Sequence, residues 1–229
     1  RLQLSLDVDL QKKALKLLGG RRGSIVALDP KTGGVLTMVS TPVYDPNLFV
    51  TGISIKNYAL LRDSPDLPLF NRAIRGQYPP GSTVKPQLAV AGLDSGVVSG
   101  GYTIFDRGWY RLENDERKYR DWKKIGHGRV NLRSAIEQSC DTFFYGMAFG
   151  LGIDRMHNYL TQFGLGKKTG IDVTDELGGL MPSRAWKKRV RGQPWYPGES
   201  LNTGIGQGYM QATPLQLAVA TAILANRGR

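Results

Sequence analysis

The sequence holds one cysteine and two histidines. A single cysteine excludes an intramolecular disulfide framework and every multi-cysteine zinc finger. No apolar run approaches the ~20 residues of a membrane span. The longest candidate, Leu217–Ala225, is too short and carries Thr221. Acidic side chains are scarce: 19 Asp+Glu stand against 31 Lys+Arg, a formal net charge of +12. Charged residues are nevertheless only 22% of the chain, which excludes a disordered polyelectrolyte. There is no P-loop and no G-x-G-x-x-G. There is no G-x-S-x-G elbow either, because Gly198-Glu199-Ser200-Leu201-Asn202 lacks the closing glycine. Internal repeats and low-complexity linkers are also missing.

What is present is 229 residues, 41% of them hydrophobic, enough for one substantial domain with a real core. The basic balance leaves three readings open. Nucleic-acid binding needs a focused stripe, an anionic membrane surface needs only a basic face, and a soluble domain with surplus surface Lys and Arg needs neither. The first residue is Arg1 rather than Met, so the chain is expected to be a cut-out piece, from which any leader or anchor could have been removed.

The pattern predicts a helix over 9–18, with Asp7 or Asp9 as cap and Gly19-Gly20 as its end. Ser24–Asp29 and Val35–Ser40 read as strands of a hairpin joined by Pro30-Lys31-Thr32-Gly33-Gly34. Irregular loops are expected to about Gly81, then a helix over Ser82–Leu93. Residues 99–129 have no clean period and are longer than an unsupported loop should be, so something must hold them. Helices follow at Asn131–Gln138, Thr142–Leu151 and Ile153–Phe163. Residues 164–212 read as loop-rich. Thr213-Pro214 opens the last helix as N-cap and first helical residue, running to Asn226.

Ser82-Thr83-Val84-Lys85 is an S-x-x-K, which places a hydroxyl and an amine one helical turn apart on one face. A serine becomes nucleophilic when a neighbour takes its proton, and a desolvated lysine can do so. Twelve serines and 13 lysines give about one such tetrapeptide by chance, so the spacing alone is weak. The preceding Pro79-Pro80-Gly81 strengthens it by setting Ser82 at a helix start, where backbone N–H groups favour developing negative charge. Ser139-Cys140-Asp141 lies between two helices. It reads either as a plain helix break capped by Asp141 or as a turn that aims polar groups into a cleft.

Together these segments resemble the penicillin-binding proteins. Pro80-Gly81-Ser82-Thr83-Val84-Lys85-Pro86 is similar to their active-site stretch, and Ser139-Cys140-Asp141 to their S-x-N or S-x-D triplet. Thr169-Gly170-Ile171-Asp172, Gly204–Gly208 and Thr213–Ala218 resemble further segments of the same domain. Asp45–Phe49 and Tyr119–Lys124 point to the class B branch that serves rod-shape synthesis. The resemblance implies an α+β transpeptidase fold, shared with serine β-lactamases, with helices around an antiparallel sheet. It implies a peptidoglycan D,D-transpeptidase that acylates its serine with D-Ala-D-Ala stem peptides and is trapped by β-lactams. On that pattern Ser82 is the nucleophile, Lys85 its proton acceptor and Ser139 the second hydroxyl. Asp141 departs from the common Asn, and a carboxylate only accepts hydrogen bonds, which leaves its role open. The resemblance further implies a periplasmic domain on an N-terminal inner-membrane anchor, a pedestal domain, a SEDS-type glycosyltransferase partner within the rod-shape complex, and no nucleic acid.

Lys168-Thr169-Gly170 spells the family's third motif but sits in a loop composition after Phe163–Lys167, so it is read as a decoy. The true K-[ST]-G strand and the remaining sheet strands are expected after Arg229. Residues 1–229 are then a partial domain that is weak or inactive alone. Cys140 reads either as a small buried hydrophobe or, with Asp106, Asp121 and His127, as a tetrahedral zinc set. The gaps match no finger pattern, whereas the resemblance implies a structural zinc at these positions. Such an ion would staple 106–127 to Cys140. His157 reads as a surface or packing residue. Trp109, Trp122, Trp186 and Trp195 read as loop packing or stacking surfaces, and Arg184–Arg191 as a solvated basic run without an acid. The rivals are a serine β-lactamase or β-lactam sensor, and a basic binding module in which Ser82 is idle.

Overall fold

The computed structural model describes residues 3–228. In chain order the elements are α1 (Val8–Leu18), β1 (Gly23–Leu28), β2 (Val35–Thr41), α2 (Ile55–Arg62), α3 (Arg72–Arg75), α4 (Lys85–Asp94), β3 (Thr103–Asp106), β4 (Trp109–Tyr110), β5 (Tyr119–Arg120), β6 (Gly128–Asn131), α5 (Leu132–Glu137), α6 (Asp141–Gln162), α7 (Arg184–Arg191), α8 (Pro197–Thr203) and α9 (Pro214–Ala225). Two compact units result. One comprises the described residues up to Gln77, 168–178 and those from Thr213 onward; the other comprises 78–167 and 179–212. No described helix is long and apolar enough to cross a membrane.

In the first unit, β1 and β2 form the expected antiparallel pair, with Ile25 opposite Val39 and Val26 opposite Met38. The Asp7 carboxylate caps α1 by accepting from the Asp9 and Leu10 N–H groups, and Gly19 ends the helix in the left-handed conformation. Gln11 fastens α1 to β2: its amide donates to the Met38 carbonyl and accepts from the Met38 N–H, both at 2.9 Å. The core is Ala73, Ile74 and Leu215, covered by Val26, Leu28, Met38, Ile171 and Val219. Thr213 caps α9 with Pro214 behind it, as the sequence predicts, and Gln216 completes a capping box with Thr213. The supposed loops before Gly81 contain α2 and α3, each opened by a side-chain cap from Ser54 and Asn71. Lys168–Gly170 lies on no strand. The Thr169 and Gly170 N–H groups instead donate to the Glu176 carboxylate at 2.6 and 3.2 Å.

In the second unit, α4, α6 and α8 bury Leu88, Ala91, Phe143, Phe144, Met147, Ala148 and Leu201 together. The two helices expected across 142–163 meet at Gly152, whose φ of +68° breaks the run. The aperiodic stretch 99–129 is organised by two ribbons, β3 with β6 and β4 with β5. Strands of two to four residues are too short for alternation to register in a sequence. The loop-rich 164–212 contains α7 and α8. α7 carries a Ser183 cap and a left-handed Gly192 stop. The basic run on α7 is not simply a solvated face: Lys187 is fully buried and has an acid, Glu199, at 2.5 Å.

Candidate active site

Ser82 lies in a 3₁₀ turn, Gly81–Val84, that runs directly into α4. Thr83 Oγ1 closes the turn on the Pro80 carbonyl at 2.7 Å. Gly81 holds φ +59° and donates its N–H to the Gly206 carbonyl at 2.8 Å. Gly206 approaches so closely that a Cβ there would stand 2.1 Å from the Gly81 oxygen. Only glycine fits at that crossing.

Lys85 is 1% exposed, and its amine is fully engaged. Nζ donates to Asp141 Oδ1 at 2.6 Å, to the Ser139 carbonyl at 3.0 Å and to Ser139 Oγ at 3.1 Å. The Phe144 ring lies 5.2 Å from Nζ. Ser139 Oγ in turn donates to Ser82 Oγ at 2.8 Å. Among the described residues the hydrogen bonds joining Ser82 to Lys85 therefore run through Ser139, a refinement of the direct pairing that S-x-x-K spacing suggests. All four predicted residues converge, and Asp141 acquires a definite contact as the partner of Lys85.

Backbone geometry explains how Ser139 gets there. The Cys140 N–H bonds the Ala135 carbonyl at 2.9 Å and the Ser139 N–H bonds the Ile136 carbonyl at 3.2 Å. This is a Schellman stop for α5, a position that normally takes glycine. Ser139 occupies it with φ +54°. A left-handed serine costs about 1 kcal/mol or more, and such strain survives where surrounding structure fixes it. The result is a side chain aimed at both Ser82 and Lys85. Asp141 then begins α6, where a carboxylate also suits the helix N-terminus.

Asp106, Asp121, His127 and Cys140 also converge, with one ligand atom from each lying within 4.8 Å of the others. His127 Nδ1 is 2.8 Å from Asp106 Oδ2 and 3.7 Å from Asp121 Oδ1, and Cys140 Sγ is 3.5 Å from Asp106 Oδ2. Backbone N–H groups orient both carboxylates. Gly108 and His127 donate to Asp106 at 2.7 and 2.8 Å, and Lys123 and Thr142 donate to Asp121 at 3.0 Å each. Burial alone would raise the Asp106 pKa, but the Gly108 and His127 hydrogen bonds outweigh it and hold the carboxyl below its ordinary value. Burial, and then the Asp106 and Asp121 charges, push the Cys140 thiol well up. His127 Nε2 is buried without a partner. Two carboxylates and a cysteine sulfur this close are what a divalent cation would draw together, and the O, O, N, S donor set suits a borderline-soft ion.

His157 packs by bonding the Pro182 carbonyl at 3.1 Å. Trp109 lies in β4, Trp186 and Trp195 pack on Tyr209, and Trp122 Nε1 donates to the Gln138 carbonyl beside Ser139. Sequence reasoning missed Gly206 and the Lys187–Glu199 pair. The signals for them were the Gly204–Gly208 segment and a glutamate fifteen residues after Arg184, neither of which reveals its distant partner.

The penicillin binding protein transpeptidase domain model matches residues 23–229. The peptidoglycan D,D-transpeptidase MrdA of Escherichia coli strain K12 is 52% identical over 227 residues, which is 99% of this chain and 36% of that protein. The crystal structure of Pseudomonas aeruginosa PBP2 in complex with WCK 5153 aligns with 60% identity and a TM-score of 0.97, covering 99% of this chain and 51% of that one. Helicobacter pylori PBP2 in its complex with MreC aligns with 39% identity and a TM-score of 0.95, covering 99% and 42%. The chain thus spans 36% of the curated relative and about half of the solved Pseudomonas chain.

Proposed function

The chain belongs to the penicillin-binding protein transpeptidase family, and we propose that it is the serine-bearing part of a peptidoglycan D,D-transpeptidase of the PBP2 type. The observation that carries this reading is the hydrogen-bonded series Ser82 Oγ, Ser139 Oγ, Lys85 Nζ, with Asp141 closing it. Ser82 attacks the carbonyl between the two D-alanines of a stem peptide. Its proton passes through Ser139 to the amine of Lys85 in its neutral form. The tetrahedral oxyanion forms at the start of the 3₁₀ turn, where first-turn N–H groups have no helical partner. Collapse expels D-alanine, and the proton returns from Lys85 through Ser139 to the leaving nitrogen. The amine of a second stem then attacks the acyl-serine to make the cross-link. Water in its place gives carboxypeptidase action, and a β-lactam arrests the cycle at the acyl stage.

Ser82, Lys85, Ser139 and Asp141 are the catalytic set in this proposal. Asp106, Asp121, His127 and Cys140 are proposed to hold one zinc ion, and a site closed by four protein ligands is structural. The ion would supply the positive charge that keeps the thiolate and both carboxylates together. Its ligand Cys140 lies between Ser139 and Asp141, so the same residues would brace the relay. Residues 1–229 are proposed to form part of a transpeptidase domain. They are proposed to acylate weakly alone, because the family's second oxyanion donor comes from a K-[ST]-G strand and Lys168–Gly170 is not one. For the whole protein we propose an inner-membrane anchor, a periplasmic domain and work within the rod-shape complex beside a SEDS-type glycosyltransferase. The MreC complex of the Helicobacter relative supports the rod-shape assignment.

The test is D-alanine release and cross-link formation from pentapeptide stems by the full-length protein. Both are expected from the unaltered protein and from neither Ser82→Ala nor Lys85→Met. A rapid turnover of bound penicillin without cross-linking would instead establish the β-lactamase reading.

A further inference from the structure

Lys187 lies on α7 and Glu199 on α8, and neither belongs to the relay. Lys187 Nζ meets both Glu199 carboxylate oxygens, at 2.5 and 2.6 Å, with the lysine side chain 1% exposed and the glutamate 19%. The ammonium also lies 4.2 Å from the Tyr196 ring centroid. Glu199 carries more than this ion pair. Its Oε2 accepts the Tyr196 N–H at 2.8 Å and its Oε1 accepts the Tyr209 hydroxyl at 3.2 Å. One carboxylate therefore ties α7, the entrance to α8 and Tyr209, which lies beyond the loop that follows α8.

That loop holds Gly206, the residue pressed against Gly81 beside Ser82. Glu199 anchors the helix that leads into the loop, through Lys187 and Tyr196, and the residue just beyond the loop, through Tyr209. Trp195 packs on Tyr209 and donates from Nε1 to Ser200 Oγ at 2.9 Å, which stiffens the same junction. A buried lysine is costly unless paired, and a purely structural prop could be apolar at lower cost. A charged clamp, unlike an apolar contact, fixes direction and register as well as proximity.

We propose that Glu199, held by Lys187 and Tyr209, is a positioning residue that sets the Gly206 loop against the Gly81–Ser82 turn and so pre-aligns Ser82 for acylation. This inference rests on the reading of Ser82 as the acylated nucleophile. Loosening the clamp acts on the placement of the attacking oxygen through the Gly81–Gly206 crossing. The limiting acylation rate then falls while noncovalent affinity stays, since misplacement by ~1 Å costs on the order of 100-fold.

The experiment is stopped-flow acylation of the full-length protein by a fluorescent penicillin, resolving the limiting rate from the noncovalent dissociation constant, with thermal melting alongside. Glu199→Gln keeps the size and one hydrogen-bond acceptor. It is expected to lower the limiting rate about ten-fold or more with the dissociation constant within two-fold. Lys187→Arg, which keeps a two-pronged partner for the intact Glu199, is expected to hold the limiting rate close to that of the unaltered protein. Lys187→Met strands the Glu199 carboxylate and is expected to slow acylation at least as much as Glu199→Gln; where it fails to fold, Glu199→Gln decides. A Glu199→Gln protein that melts lower but acylates at the unaltered limiting rate would overturn the clamp while leaving Ser82's role intact. An unaltered protein that takes up no label at Ser82 would overturn the reading beneath both.

Discussion

Gly206→Ala probes the crossing beneath Ser82. A methyl group there would stand 2.1 Å from the Gly81 oxygen and 2.7 Å from its nitrogen, so one backbone must retreat by roughly 1 Å. The φ of +69° adds about 1–2 kcal/mol for a side chain in the left-handed region. The retreat also breaks the Gly81 N–H bond to the Gly206 carbonyl, worth about 1 kcal/mol. The summed loss is about 2–3 kcal/mol, a fall of ~5–10 °C in melting temperature for a domain of this size. Displacing Gly81 displaces Ser82, and acylation should slow by on the order of 100-fold. Gly208→Ala is the internal control. It has a similar φ, +72°, but its Cβ would meet only the Asn202 Cβ at 3.3 Å. It should lose stability and keep most of its acylation rate. Penicillin acylation kinetics and calorimetry on both variants give the answer. Equal acylation rates in the two would refute the claim that this crossing positions the nucleophile.

Ser139→Gly relieves the left-handed strain while deleting the relay hydroxyl; it should melt within about 2 °C of the unaltered protein yet acylate at least ~100-fold more slowly. Asp141→Ala leaves a buried ammonium without its carboxylate and should destabilise by about 3–5 kcal/mol, whereas Asp141→Asn should recover much of that in calorimetry. For the proposed metal site, elemental analysis should find one zinc per chain, reduced well below that by His127→Ala or Cys140→Ser. Chelation should lower the melting temperature and the acylation rate together. Protein purified without chelators that holds well under one equivalent would remove zinc from the account.

Local punctuation made much of this fold legible. Asp7, Gly19, Thr213, Pro214 and Gly152 each mark a boundary that the structure reproduces, because caps, stops and breaks act within a turn of the residue that causes them. The eight proposed site residues were named from the S-x-x-K spacing and from family resemblance, and they converge in two adjoining clusters. The missed features depend on distant partners. α8 is built from Pro197, Gly198, Ser200, Asn202 and Thr203, a poor helical composition held by burial of Ser200, Leu201 and Thr203. Lys187 looks like any member of a basic run until Glu199 folds onto it. Ser139's left-handed backbone contradicts residue preference altogether, and such conflicts gather where a side chain has work to do.

The central claim is that Ser82 is acylated through Ser139 and Lys85. Peptide mass mapping of the full-length protein after brief exposure to a β-lactam tests it most directly. The account predicts a single adduct on the peptide bearing Ser82, absent in Ser82→Ala and reduced at least ~100-fold in rate in Lys85→Met. An adduct on any other residue, or undiminished labelling of Lys85→Met, would contradict it.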